Sequence, residues 1–271
     1  MFSDIAQYFR TETLPHIWCP GCGIGTIMVA IVRAIKSLQL DQNKVIFVSG
    51  IGCSSRMPGY LDFNTIHTTH GRALPFATGI KAARPELDVF VIMGDGDSAA
   101  IGGNHLIHAA RRNIDLTAIV INNSIYGMTG GQTSPLTPHT KRGTTSPFGN
   151  LERPFKILEV AKAAGATYGA RATAYHNQLL TKLVMDAYNN NGFSLVEAIS
   201  QCPVSYGRRN KFKTPADMLV WQKEHAFKVG QKRVVGEEDF QIGQIFKSQA
   251  SEYMHEYEKL RQKLKEGNHN G

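Results

Sequence analysis

Ile92-Met93-Gly94-Asp95-Gly96-Asp97 closes an apolar run that begins at residue 87. Under thirty residues on, Ile121-Asn122-Asn123-Ser124-Ile125-Tyr126-Gly127 closes a second such run, Leu116-Thr117-Ala118-Ile119-Val120-Ile121. Short, nearly unbroken apolar runs that end in small polar residues read as buried parallel strands. Between them, residues 104–112 carry apolar positions at helical spacing. The unit is strand, helix, strand, with both polar tips at one edge of a parallel sheet. In open α/β sheets that edge binds ligands.

The tips narrow the chemistry. Asp95 offers hard carboxylate oxygens beside glycines that admit a diphosphate close to the backbone. Asn123 offers a side-chain oxygen and Ile125 a backbone carbonyl. Mg²⁺ takes such a set, with phosphate and water completing its octahedron. The helix after Gly102-Gly103 is expected to turn its amino end toward the anion. A lone Gly-Asp-Gly is equally a tight turn; the downstream Asn-Asn makes the metal–diphosphate reading specific.

The same strand–helix alternation extends outward. Residues 25–40 place Ile27, Ala30, Ile31, Ala34, Ile35 and Leu38 at three- and four-residue steps, which predicts a helix. Strands are expected at 45–48, 167–171 and 193–199, and helices at 74–83, 155–165 and 177–188. This predicts a doubly wound parallel α/β sheet. Residues 127–150 are rich in Gly, Thr, Ser and Pro without periodicity, a length that in a compact domain signals function. They are expected to fold over the diphosphate or to meet a partner subunit. Past Tyr206 the chain turns charged, and residues 214–230 and 237–267 read as helical.

Four cysteines, Cys19, Cys22, Cys53 and Cys202, all fall in Gly- or Pro-flanked loops. Cys-x-x-Cys in an intracellular chain points to metal or redox chemistry. Cys53 and Cys202 follow strands, so they can converge at the Asp95 edge. Spacing alone leaves zinc and a [4Fe–4S] cluster at parity. Four unrelated buried thiols are the plain alternative.

Bulk numbers set bounds. The 271 residues suffice for one large α/β domain. Composition is 42% hydrophobic with 26 glycines, ordinary for a globular protein. No apolar run reaches membrane-span length, and residues 1–10 do not resemble a signal peptide; a cytoplasmic location is expected. Net charge is +8 with pI about 9.3. No nucleic-acid motif accompanies the charge, so an acidic protein partner explains it better; a merely solvated surface is the alternative.

The Gly-Asp-Gly and Asn-Asn pair resembles the thiamine diphosphate fingerprint. Trp18-Cys19-Pro20-Gly21-Cys22-Gly23, Ser49-Gly50-Ile51-Gly52-Cys53-Ser54-Ser55-Arg56, His70-Gly71-Arg72-Ala73, Arg111-Arg112-Asn113 and Gly130-Gly131-Gln132-Thr133-Ser134-Pro135 resemble the β subunit of 2-oxoacid:ferredoxin oxidoreductases. Leu14-Pro15-His16-Ile17-Trp18 resembles the 2-oxoglutarate branch. The resemblance spans residues 14–206. It implies a thiamine diphosphate- and iron–sulfur-binding domain over 1–206; beyond Tyr206 there is no resemblance, and 207–271 reads from its charge pattern as a charged, mostly helical extension. The resemblance implies thiamine diphosphate, Mg²⁺ and a [4Fe–4S] cluster on the four cysteines, since electrons from the oxidised intermediate need a one-electron acceptor that zinc cannot be.

The reaction so implied is oxidative decarboxylation of a 2-oxoacid with coenzyme A, giving acyl-CoA, CO₂ and reduced ferredoxin. 2-Oxoglutarate is the expected substrate; pyruvate or a branched-chain 2-oxoacid is the alternative. A non-catalytic zinc scaffold and a non-oxidative thiamine decarboxylase are the rival functions. Asp95, Asn123 and the Ile125 carbonyl are expected to hold Mg²⁺. Gly96, Asp97, Gly127 and Met128 are expected at or around the diphosphate. Ile51, Gly52, Cys53 and Ser54 are expected to bring the cluster against the cofactor. His70 is a candidate diphosphate contact or a structural histidine. Arg56 is a candidate catalytic-site residue for the substrate carboxylate, or a surface residue. His105 and His108 are helix-face residues. The glutamate that thiamine enzymes place on the aminopyrimidine has no candidate segment here. The family carries it on a separate α subunit, so the chain is expected to be inactive alone.

Overall fold

The apolar run before Asp95 is strand β3 (Asp88–Gly94), and it lies inside the sheet. A computed structural model describes residues 3–267. In chain order the elements are α1 (Ile24–Ser37), β1 (Val45–Ser49), β2 (Asn64–His67), α2 (Ala73–Ala83), β3, α3 (Asp95–Ala99), α4 (Gly103–Arg111), β4 (Thr117–Asn122), α5 (Ile157–Ala164), β5 (Tyr168–Thr173), α6 (Asn177–Tyr188), β6 (Ser194–Ile199), α7 (Pro215–His225), β7 (Ala226–Lys228), β8 (Phe240–Lys247) and α8 (Tyr253–Gly267). They form one eight-stranded sheet of order β2-β1-β3-β4-β6-β5-β8-β7. Every pairing is parallel except β5 with β8.

Both faces of the sheet are covered, which is why β1 and β4 are buried at every position and read as unbroken apolar runs. On one face α1 and α6 close over Phe47, Phe90, Ile92, Ile119 and Tyr168. There Phe63, Phe47, Phe90 and Tyr188 form an aromatic stack with centroids 5.3, 5.5 and 5.9 Å apart. On the other face α2, α4 and α5 cover Val48, Val89, Val91, Met93, Val120 and Leu195. The two-sided arrangement places the carboxyl ends of β1, β3, β4 and β6 along one edge, where Cys53, Asp95, Asn123 and Cys202 follow them in the chain.

Two expectations need correction. Asp95 opens a short helix, α3, directly after β3, rather than a loop. Continuous helix over residues 237–267 is replaced by strand β8 followed by helix α8. The mostly helical extension therefore also contributes two strands to the sheet, β7 and β8. The reason is the alternation of Phe240 and Ile242, continued by Phe246 after an irregular step in the register. The Phe246 ring fills the place a side chain would take at Gly169, where a Cβ would meet it at 2.0 Å. Among the described residues no helix is long and apolar enough to cross a membrane.

Candidate active site

Asp95 is buried, with 3% of its surface exposed. One of its oxygens accepts from the Asn123 backbone N–H at 3.1 Å, the other from the Ser134 hydroxyl at 2.6 Å. No cation among the described residues pairs with it. Burial pushes its carboxyl up to about 6, against the lowering effect of the Ser134 and Asn123 hydrogen bonds. Beside it, Asn123 Oδ1 is buried and has no hydrogen-bond partner. A buried orphan oxygen next to a buried unpaired carboxylate is costly. A hard cation would satisfy both, so the donor set fits Mg²⁺.

Asp97 has a different task. Its fully buried carboxylate accepts from four groups: Ile51 N–H at 3.0 Å, Ser55 Oγ at 2.9 Å, Gly71 N–H at 2.7 Å and His70 Nδ1 at 2.6 Å. It thereby ties the loop after β1 to the loop after β2. Gly50 makes this possible, since a Cβ there would lie 2.3 Å from Asp97 Oδ1. His70 is positioned through Nδ1, which leaves Nε2 for another partner. At Gly96 a Cβ would stand 3.1 Å from His70 Nε2 and 3.1 Å from Tyr126 Cε1. The two rings thus flank a bare stretch of backbone next to Asp95.

Cys22, Cys53 and Cys202 are half-buried and Cys19 is exposed, and the charges of the other three are felt at Cys22. Burial raises the Cys22 thiol to about 12, and Cys202, Cys53 and Cys19 each push it further up. Burial raises Cys53 to about 11, with Cys202 and Cys19 adding. Cys202 is raised by burial as well. A Cβ at Gly127 would sit 3.4 Å from Cys202 Sγ and 3.6 Å from Cys53 Sγ, so this glycine separates two of the thiols. The Cys19–Cys22 turn closes with Cys22 N–H on Cys19 O at 3.0 Å. Gln201 holds that turn to the end of β6, accepting from Gly23 N–H at 3.1 Å and donating to Gly21 O at 3.1 Å. Trp18 Nε1 donates to Cys53 O at 2.7 Å, which fixes the second loop. Half-buried thiols held this far from ionisation need cationic charge to become thiolates, which an iron–sulfur cluster would supply. Among the described residues no three or more Cys, His, Asp or Glu side chains converge as a single bound ion requires.

The remaining candidates are spread around this centre. Ile51 and Met128 are exposed, and Gly52 has φ +122° with open space where a Cβ would be. Ser54 is buried, its Oγ 2.7 Å from the position a Cβ would take at Gly94. The Ile125 side chain is buried against Tyr206 and Met218. Arg56 is exposed on the turn after Cys53, with no side-chain hydrogen bond or ion pair among the described residues. Ser134, Ser55 and Tyr126 carry positioning roles that sequence reasoning did not assign. Ser134 lies 39 residues from Asp95, so no local spacing announces the contact.

Residues 45–198 match the family described as thiamine pyrophosphate enzyme, C-terminal TPP binding domain. The chain is 50% identical over 267 residues to the 2-oxoglutarate synthase subunit KorB of Archaeoglobus fulgidus, covering 98% of each chain. It is 48% identical to the subunit of that name from Methanocaldococcus jannaschii, over 96% of this chain and 97% of that one. A solved structure described as 2-oxoglutarate:ferredoxin oxidoreductase from Magnetococcus marinus with 2-oxoglutarate, coenzyme A and succinyl-CoA bound superposes with TM-score 0.85 at 33% identity, over 96% of this chain and 90% of that one. The chain belongs to the thiamine pyrophosphate enzymes and, within them, to the KorB-type β subunits of 2-oxoacid:ferredoxin oxidoreductases.

Proposed function

We propose that this chain is the thiamine diphosphate- and cluster-binding subunit of an enzyme that converts 2-oxoglutarate and coenzyme A to succinyl-CoA and CO₂. Each turnover releases one proton and two electrons, and ferredoxin takes the electrons one at a time. The observation that carries this reading is the buried Asp95 beside the orphaned Asn123 Oδ1 at the carboxyl edge of the parallel sheet. The relatives' names support 2-oxoglutarate over pyruvate.

Asp95, Asn123 and the Ile125 carbonyl would hold Mg²⁺, and the diphosphate would complete its shell. Bound thiamine diphosphate supplies the nucleophilic carbon and the electron sink for decarboxylation. Ser134 keeps the Asp95 carboxylate oriented through its 2.6 Å hydrogen bond. Asp97 orients His70 so that Nε2 is available to a diphosphate oxygen, over the gap that Gly96 leaves. The Ile51–Ser54 loop carries Cys53 and would bring the cluster against the cofactor. Cys19, Cys22, Cys53 and Cys202 would each bind one iron. Arg56, unpaired and exposed, would take the distal carboxylate of 2-oxoglutarate in a bidentate fork. A companion α subunit would supply the aminopyrimidine glutamate. The thiols stay reduced in a cytoplasmic setting, which suits this chemistry.

The test is analysis of the anaerobically purified complex, co-expressed with its companion subunit. The expected result is about four irons and four sulfides per chain, with Mg²⁺ and thiamine diphosphate. Coenzyme A-dependent CO₂ release should be faster from 2-oxoglutarate than from pyruvate. Zinc without thiamine diphosphate would refute the reading.

A further inference from the structure

Gly127, the residue that separates Cys53 from Cys202, also belongs to the wall of an open cleft of about 830 Å³. Arg142, Arg208 and Arg209 line that cleft, with Met128 and Val204 among them. No acidic side chain lines it among the described residues. None of the three guanidinium groups makes an ion pair or a side-chain hydrogen bond among the described residues; Arg142 is bonded through its backbone alone. By contrast Lys81, Arg171 and Arg233 are matched with Asp115, Glu197 and Asp239.

The cleft is built rather than accidental. Arg142 comes from the long loop after β4, and Arg208 and Arg209 from the segment after β6. Asn210 clamps the two together, accepting from Arg142 N–H at 2.9 Å and donating to Arg142 O at 3.1 Å. Arg209 lies against Gly131, where a Cβ would be 3.5 Å from its Nε. The three guanidinium groups are exposed and of like charge, so an anionic partner would gain from all three. Met128 and Val204 are 43% and 39% exposed, so the same cleft offers an apolar contact. Exposed apolar side chains mixed with arginines are a composition found at protein-docking surfaces. One residue of backbone, without a side chain, stands between it and two cysteine sulfurs.

We infer that the Arg142–Arg208–Arg209 cleft is the docking surface for an acidic one-electron carrier protein, which collects electrons from the cysteine-held cluster across Gly127. The inference rests on the reading of the four cysteines as a cluster site. The chain's net charge of +8 agrees with an acidic partner.

The experiment uses the anaerobic complex with its companion subunit, immobilised, and a small acidic [4Fe–4S] ferredoxin as the probe. One variant carries Arg142→Glu, Arg208→Glu and Arg209→Glu. A control of equal charge change carries Lys182→Glu, Lys223→Glu and Lys263→Glu, away from the cleft. The arginine variant should associate with ferredoxin at least about tenfold more slowly at low salt, with a flatter salt dependence. The control should stay within about twofold of the native complex, since screened remote charges act weakly. Iron content and turnover with methyl viologen, a small dye that needs no docking, should be unchanged in both. Should the glutamate variant not assemble, the three Arg→Gln changes must still slow ferredoxin in the same order. Native association in the arginine variant would overturn the inference, as would equal slowing in the control. A raised KM for coenzyme A with ferredoxin association intact would overturn it too, by making the cleft a phosphate site. A native complex without iron or viologen turnover would refute the proposed function itself, and the docking surface with it.

Discussion

A buried carboxyl group with no cation beside it keeps its proton to a higher pH than usual, and Asp95 is in that position. Its acidity is pushed to about 6 from a usual value of 3.8, chiefly by burial. The folded state therefore binds this proton more tightly than the unfolded chain does. Without metal, the stabilisation by that proton is complete below about pH 4 and is lost as pH rises through about 6, a loss of roughly 3 kcal/mol. Above that pH a cation takes the proton's place. The rise in thermal midpoint on adding Mg²⁺ and thiamine diphosphate should thus be full at pH 7.5 and shrink as pH falls through about 6. Asp95→Asn should show no such rise at any pH; an undiminished rise at pH 5 would remove Asp95 from the metal site. Ser134→Ala deletes a hydrogen bond to the charged form, worth about 1.5–3 kcal/mol. Mg²⁺ affinity should fall roughly 10- to 100-fold, and the pH at which the rise is lost should move upward. Arg56 is a separate case, because its guanidinium has no hydrogen bond or ion pair among the described residues. If it meets the distal carboxylate, Arg56→Ala in the assembled enzyme should raise KM for 2-oxoglutarate at least about tenfold, the scale of one charge-assisted fork. Pyruvate, which lacks that carboxylate, should be unaffected, and equal losses on both substrates would take Arg56 out of the site.

Among the elements, those held by continuous burial were legible and those held by distant partners were not. β1, β3, β4 and β6 announce themselves as apolar runs because helices cover both their faces. α1 shows its buried stripe at three- and four-residue steps. Of the candidate site, Asp95, Asn123, Cys53 and Cys202 could be picked out because their chemistry is unusual just past the ends of strands, and Cys19 and Cys22 by their Cys-x-x-Cys spacing. Ser134, Ser55 and Asn210 were not, since hydroxyls and amides in an aperiodic loop carry no sign of a partner 39, 42 or 68 residues away. β8 was missed for a physical reason of its own: its alternation breaks at Gly243, where φ is +112°, and the register with β5 slips. Asn113 shows the same limit from the other side. At φ +48° it ends the α4 turn, a conformation asparagine tolerates. Its side chain accepts from Thr167 Oγ1 at 2.9 Å and Phe193 N–H at 2.8 Å, and donates to Ala250 O and Ser251 O at 3.3 Å each. One residue joins the starts of β5 and β6 to the segment leading into α8. Asn113→Ala strands a buried N–H and should cost about 2–4 kcal/mol. Urea unfolding of the complex should detect it, and a change below about 0.5 kcal/mol, the scale of a surface substitution, would show that the knot is dispensable.

At the scale of the whole molecule, the question is whether this chain contains a complete site. The buried acids among the described residues are Asp95, Asp97, Glu197 and Glu252, and each is already engaged. Asp97 accepts from four donors, one of them His70. Glu197 holds Arg171 at 2.7 Å and Asn122 at 2.8 Å. Glu252 accepts from Asp115 N–H and His255 N–H, away from the cofactor edge. Among the described residues no buried glutamate is left to face an aminopyrimidine. On the surface, Phe148 and Leu151 on the long loop are 97% and 87% exposed, and Ile101, beside Gly71 near the Asp97 hub, is 51% exposed. Large apolar side chains left open around a site mark surfaces that another chain covers. The chain purified alone under anaerobic conditions should then keep its iron–sulfur absorption yet show no coenzyme A-dependent decarboxylation with thiamine diphosphate and Mg²⁺ supplied. Adding the separately purified companion subunit should restore turnover. Retained absorption excludes misfolding as the cause of inactivity, so restoration would place the missing carboxylate on the companion, whereas turnover by the chain alone would mean that one of its own exposed acids serves the pyrimidine.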